Sequence, residues 1–121
     1  MRVDRELMRG AGPVAVLKLL ESGEKYGYEL VEQLERQSNG VLAMGQSTLY
    51  PMLYNLEAQG LVKSEWRGTD SARERKYYHL TSKGKKQLAA DMKQWSALVQ
   101  VLGNLGVLTG GDNPALGGAT P

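Results

Sequence analysis

Gln46-Ser47-Thr48-Leu49-Tyr50-Pro51-Met52-Leu53-Tyr54-Asn55-Leu56-Glu57-Ala58-Gln59-Gly60 opens the stretch, running on to Tyr78, whose reading decides the fold. Leu49, Leu53 and Leu56 recur at spacings of four and three, which predicts a helix with one buried stripe. Either Gln46 or Ser47 starts it. Ser47 is the better N-cap, because its hydroxyl can accept an early backbone N–H. Tyr50 stands where a capping box would need Glu or Gln. Pro51 falls about one turn in, at modest cost, and Gly60 suits the residue just past the helix end. Ser47, Tyr50, Pro51, Tyr54 and Asn55 are predicted to point outwards.

Beyond Gly60, Leu61 to Arg67 and Arg73 to Leu80 alternate as strands do. Val62, Ser64 and Trp66 share one face, with Tyr78 and Leu80 on the matching one, so Trp66 is expected in or at the edge of the core. Tyr77 and Tyr78 read as sheet packing rather than stacking platforms. Gly68 to Ala72 forms the connecting loop, with turn formers that predict a flexible tip. A helix with a polar, hydroxyl-bearing outer face followed by a basic hairpin is the pattern of a winged helix-turn-helix that reads DNA.

Working outward, Asp4 to Leu20 is helical, with Gly10, Gly12 and Pro13 predicting a break or a fresh start near Pro13. Lys25 to Gln37 is a second helix with Gly27, Leu30, Val31 and Leu34 on its buried stripe. Gly27 there is expected to permit close approach of the next helix. Thr81 or Ser82 caps a last helix. Along it Leu88, Met92, Trp95, Val99 and Leu102 follow a 4-3-4-3 spacing, a seam too short for a free-standing coiled coil. From Gly103 onwards glycine dominates, and residues 106–121 are predicted to be a flexible tail. The predicted fold class is mainly α with a small β-hairpin. Residues 1–81 form the winged helix-turn-helix, 82–105 the terminal helix and 106–121 the tail.

A chain of 121 residues fits one domain with an attached helix. It has no Cys, which removes disulfide and thiolate chemistry. The charged N-terminus does not read as a signal peptide, and no apolar run reaches the roughly 20 residues of a membrane span. A cytoplasmic location without membrane contact is expected. The net charge of +2 says little, but its distribution says more. Between Lys63 and Lys86, 8 basic residues face 3 acidic ones, so this segment is +5 and the rest of the chain −3. Such a patch suits a polyanion or is simply a solvated hairpin.

For DNA, the predicted contacts on the helix are Gln46, Ser47, Thr48, Tyr50, Tyr54 and Asn55. Hydroxyls and first-turn N–H groups suit phosphate oxygens, and Gln46 and Asn55 can pair with adenine. Tyr54 and Asn55 alternatively just face water. The helix has no Arg or Lys, so affinity must lean on Arg67, Arg73, Arg75 and Lys76 of the hairpin. Enzymatic readings are poor. His79 is the one histidine and has neither zinc partners nor a triad around it, and no cofactor fingerprint exists. No metal and no cofactor are expected. The alternative class is a winged-helix adaptor for protein partners.

The chain resembles the PadR family of transcriptional regulators. The resemblance rests on Gly12-Pro13 leading into Leu17, Leu19 and Leu20; on Tyr26-Gly27-Tyr28-Glu29-Leu30; on Ser47-Thr48-Leu49-Tyr50-Pro51 with Leu53, Leu56-Glu57 and Gly60-Leu61; and on Arg75-Lys76-Tyr77-Tyr78 with Leu80-Thr81 and Gly84. It spans about Gly12 to Gly84. It implies a repressor that binds double-stranded operator DNA at an inverted repeat as a homodimer. The 82–105 helix would be the dimerisation element, through Leu88, Met92, Trp95, Val99 and Leu102. The single terminal helix resembles the family's compact branch. Some compact members bind flat hydrophobic, often cationic compounds between paired tryptophans, which implies a pocket of Trp95, Met92 and Met8. Trp95 is thus either a dimer anchor or the wall of a small-molecule site.

Overall fold

The computed structural model describes residues 1–68 and 74–109. In chain order its elements are α1 (Arg5–Glu21), β1 (Lys25–Tyr26), α2 (Gly27–Gln37), α3 (Gln46–Ala58), β2 (Val62–Arg67), β3 (Arg75–Leu80) and α4 (Ser82–Asn104). The chain divides into two units, Met1–Leu88 and the part from Ala89 onwards, and α4 crosses the division.

In the first unit α1 starts where Asp4 accepts the Leu7 N–H at 3.1 Å. It then runs unbroken through Pro13, so the expected break there does not occur. Pro13 removes only the bond to the carbonyl one turn back. Met8, Val16, Leu17 and Leu20 bury one face of this helix on both sides of that gap.

The second helix begins later than its sequence pattern suggests. Lys25 and Tyr26 are extended and pair with Tyr78 and Tyr77 of β3. The expected hairpin is therefore a three-stranded antiparallel sheet in the order β1-β3-β2. Two residues are too few to show a period, which is why the strand hides in the helical pattern. Glu29 then marks the helix start by accepting the Tyr26 N–H at 3.1 Å.

Val16, Leu17, Leu30, Leu49, Leu53, Val62 and Leu88 are the fully buried centre, drawn from α1, α2, α3, β2 and the first turns of α4. The β3–α4 junction is stitched to the end of α3. Thr81 donates its hydroxyl to the Gly60 carbonyl at 2.7 Å and accepts the Gly84 N–H at 2.9 Å. Lys83 donates to the Gln59 carbonyl at 2.8 Å. A Cβ on Gly84 would run into the Leu61 carbonyl, so only glycine lets α4 start this close to the backbone before β2.

In the second unit α4 ends at Asn104, and Gly106 just beyond it takes a left-handed φ of 84°. Val107 donates back to the Leu102 carbonyl at 2.9 Å. The first residues assigned to the flexible tail thus form a helix-terminating turn, while 110–121 lie outside the described residues. Met92, Leu98, Val101, Leu105 and Val107 are exposed, and Trp95, Val99 and Leu102 are half-buried. No helix among the described residues is long and apolar enough to cross a membrane.

Candidate nucleic-acid interface

The third helix owes its position to its leucines. Leu49, Leu53 and Leu56 are 0, 0 and 3% exposed, which turns Gln46, Ser47, Thr48, Tyr54 and Asn55 to solvent. The N-cap is Gly45, not Ser47, and Gly45 has no side chain to cap with. Ser47 lies inside the first turn, so its hydroxyl is not spent on a cap. The first-turn N–H groups are likewise left uncapped by any side chain, which favours an anion there.

Tyr50 corrects a second expectation. Its ring is half-buried against the start of α2, and its hydroxyl occupies the space a Gly27 Cβ would need. Gly27 therefore does permit the close approach read from sequence, and the partner it admits is Tyr50. This residue locks α3 to α2 and does not stand on the free outer face.

The wing adds charge through two different faces. On the face that carries Tyr78, the register pairs Ser64 with Tyr78 and then Trp66 with Lys76. The Lys76 ammonium lies 5.5 Å from the Tyr54 ring of α3, 5.8 Å from Tyr78 and 6.0 Å from Trp66. These distances are in the range of cation–π attraction, about 0.5–1 kcal/mol each where exposed. Trp66 itself is 65% exposed, against the expectation of core or half-core. The alternation holds, but β2 runs beyond the edge of the core at Ser64. Alternation reports a face and not how far the core extends beneath it.

The other wing face is a ladder of rings and guanidinium groups. Tyr26 and Tyr77 meet edge-on at 5.5 Å between centroids. Arg75 lies 4.5 Å from the Tyr26 ring, and Arg67 5.5 Å from the Tyr77 ring. Arg67 also donates to Glu65 at 2.6 Å from Nε and forms an ion pair with Glu24. The hydrogen bond from Arg67 to Glu65, then that to Glu24, raises its pKa above the usual arginine value. Arg67 is thus a partly neutralised tie between β2 and the α1–β1 turn. Arg75 and Lys76 have no ion-pair partner among the described residues. Arg73 and residues 69–72 of the wing loop lie outside the described residues.

Tyr54, Trp66 and Lys76 form a cluster that sequence reasoning did not assemble. Its signal was present in the antiparallel register, which sets Trp66 opposite Lys76 once Val62 is paired with Leu80. Among the described residues no group of His, Asp or Glu is arranged to hold a metal ion.

The sequence pattern of the "Transcriptional regulator PadR-like family" matches residues 16–90, from the core of α1 to the first turns of α4. The chain belongs to the PadR-like family. A transcriptional regulator from Mycobacterium tuberculosis is 36% identical over 100 residues, covering 82% of this chain and 90% of its own. Among solved structures, a PadR family regulator from Eggerthella lenta is 38% identical with a TM-score of 0.72, covering 83% of this chain and 85% of that one. A transcriptional regulator from Clostridium thermocellum superposes with a TM-score of 0.74 at 27% identity, covering 80% and 94%. The PadR-like family is one of transcriptional regulators and not of enzymes. Membership implies regulation through DNA binding, and the fold is its winged helix-turn-helix with a long C-terminal helix.

Proposed function

We propose that this PadR-family regulator is a repressor that binds an inverted repeat as a homodimer. The observation that carries the reading is the exposed, uncapped first turn of α3, with the unpaired Lys76 against Tyr54 further along the same exposed helix. In this mechanism α3 enters the major groove and presents Gln46, Ser47, Thr48 and Asn55 to phosphates and base edges. Tyr54 backs Lys76, and the wing follows the backbone through Lys76 and Arg75, with Arg73 on the same hairpin. Arg67 joins them only by exchanging Glu24 and Glu65 for a phosphate.

The dimer would form through α4, whose exposed Met92 and half-buried Trp95, Val99 and Leu102 continue the stripe begun by Leu88. The pairing sets the distance between the two reading helices, which must match half-sites about 34 Å or a multiple apart. A planar hydrophobic ligand stacked on Trp95 beside Met92 would change that spacing and release the DNA. The test is a gel-shift titration on DNA flanking the protein's own gene at low and physiological salt. Binding should weaken steeply with salt, and Arg75→Ala should lower the slope by about 0.9 for each phosphate that the side chain neutralises. No binding even at low salt would point instead to an adaptor for protein partners.

A further inference from the structure

A groove of about 690 Å³ runs along α3 between its exposed side and the start of α1. Three arginines line it, Arg2, Arg5 and Arg9. Arg5 and Arg9 are one turn apart on α1 and so project from one helix face. All three are exposed and have no ion-pair partner among the described residues. Asp4 is the one carboxylate in the lining, with one oxygen accepting the Leu7 N–H, and against three guanidinium groups it leaves the groove at 3 − 1 = +2. The opposite wall includes Thr48 and Asn55, which belong to the exposed face of the reading helix.

We propose that Arg2, Arg5 and Arg9 are a second grip on the DNA backbone, flanking α3 on a different side from Lys76. The proposal rests on the DNA-binding reading above. Charge and continuity both support it. The groove presents unpaired guanidinium groups over a side of α3 that also faces the bases, so a polyanion lying on α3 reaches them without leaving the helix. α3 has no cation of its own, and the wing supplies charge on one flank only. Guanidinium groups suit phosphate oxygens through paired N–H donors. A small acidic ligand is the competing occupant of the same groove.

The test measures binding to a labelled mixed-sequence DNA duplex by fluorescence anisotropy, between about 50 and about 200 mM salt. Three proteins are compared: wild type, the triple variant R2Q/R5Q/R9Q and the charge-preserving R2K/R5K/R9K. The glutamine variant should lose up to roughly three units of salt slope per protomer, about 0.9 for each arginine that meets a phosphate. The lysine variant should keep most of the slope. Since the three side chains are exposed, thermal melting should be alike in all three, which separates lost charge from lost fold. A glutamine variant with the wild-type slope overturns the proposal and leaves the groove to a smaller anion. A wild type that binds no duplex at low salt overturns the DNA reading itself, a result distinct from a variant that binds normally.

Discussion

Two helices of this molecule carry the same kind of apolar stripe and treat it in opposite ways. On α3, Leu49, Leu53 and Leu56 are closed off almost completely, and the helix shows solvent only its polar face. On α4, Leu88 is 1% exposed, but beyond it along the stripe Met92 is 44% exposed and Trp95, Val99 and Leu102 are only half-buried. Spacing by itself does not separate the two cases. The difference lies in burial: α1, α2 and β2 pack on α3, whereas beyond Leu88 every described residue of α4 is exposed or half-buried. A stripe closed by its own chain stabilises the fold, and one left open is available to a second chain.

The contrast can be broken first at its closed end. Leu53→Ala should cost about 2–5 kcal/mol of unfolding free energy in urea titrations, because it opens a cavity in a site with no slack. A loss below about 1 kcal/mol would mean that the stripe is not the core of the unit. At the junction between the two regimes, Gly84→Ala should cost about 1–3 kcal/mol, read the same way, because the new Cβ meets the Leu61 carbonyl. Alanine ordinarily gains about 1 kcal/mol over glycine inside a helix, so the sign of the effect is itself the test.

At the open end, Trp95→Ala should leave folding of the monomer nearly unchanged. It should weaken self-association about tenfold or more in sedimentation, equivalent to about 1.4 kcal/mol. An unaltered monomer–dimer balance would show that the open stripe serves something else. The smallest effect concerns the edge of the closed region. Burial pushes the Tyr78 phenol up to about 12 from its ordinary 10. The folded protein therefore keeps a proton that the unfolded chain loses between those values. The stabilisation is complete below about pH 10 and disappears as the pH rises towards about 12. Urea midpoints, compared between about pH 9 and about pH 11, should fall less in Tyr78→Phe than in wild type.

The leucine periodicities, the strand alternation and the helix order were legible because each rests on side chains repeating along one element. What stayed hidden depends on contacts between elements distant in sequence. β1 is two residues whose strand character exists only opposite β3. Tyr50 looked exposed because the notch that receives it is made by Gly27, on another helix. Arg67 looked like free charge because Glu24, its partner across the sheet, is far away along the chain. Arg2, Arg5 and Arg9, before and in the first turns of α1, were invisible to a count of local charge, since Asp4 and Glu6 stand between them in sequence. Only the fold sets the arginines along one groove and makes Asp4 a cap.

The pairing of Lys25 and Tyr26 with β3 has a consequence for protein engineering. Wings are attractive cassettes for changing the DNA preference of a regulator, because they look like hairpins hung on a fixed body. Here the central strand of the wing is also the template on which the chain leading into α2 is aligned. A hairpin transplanted from a relative would carry its own β2 and β3 but not the matching dipeptide before α2. Swaps that move residues 25–26 together with the hairpin should preserve the reading helix, and swaps of the hairpin alone should loosen it.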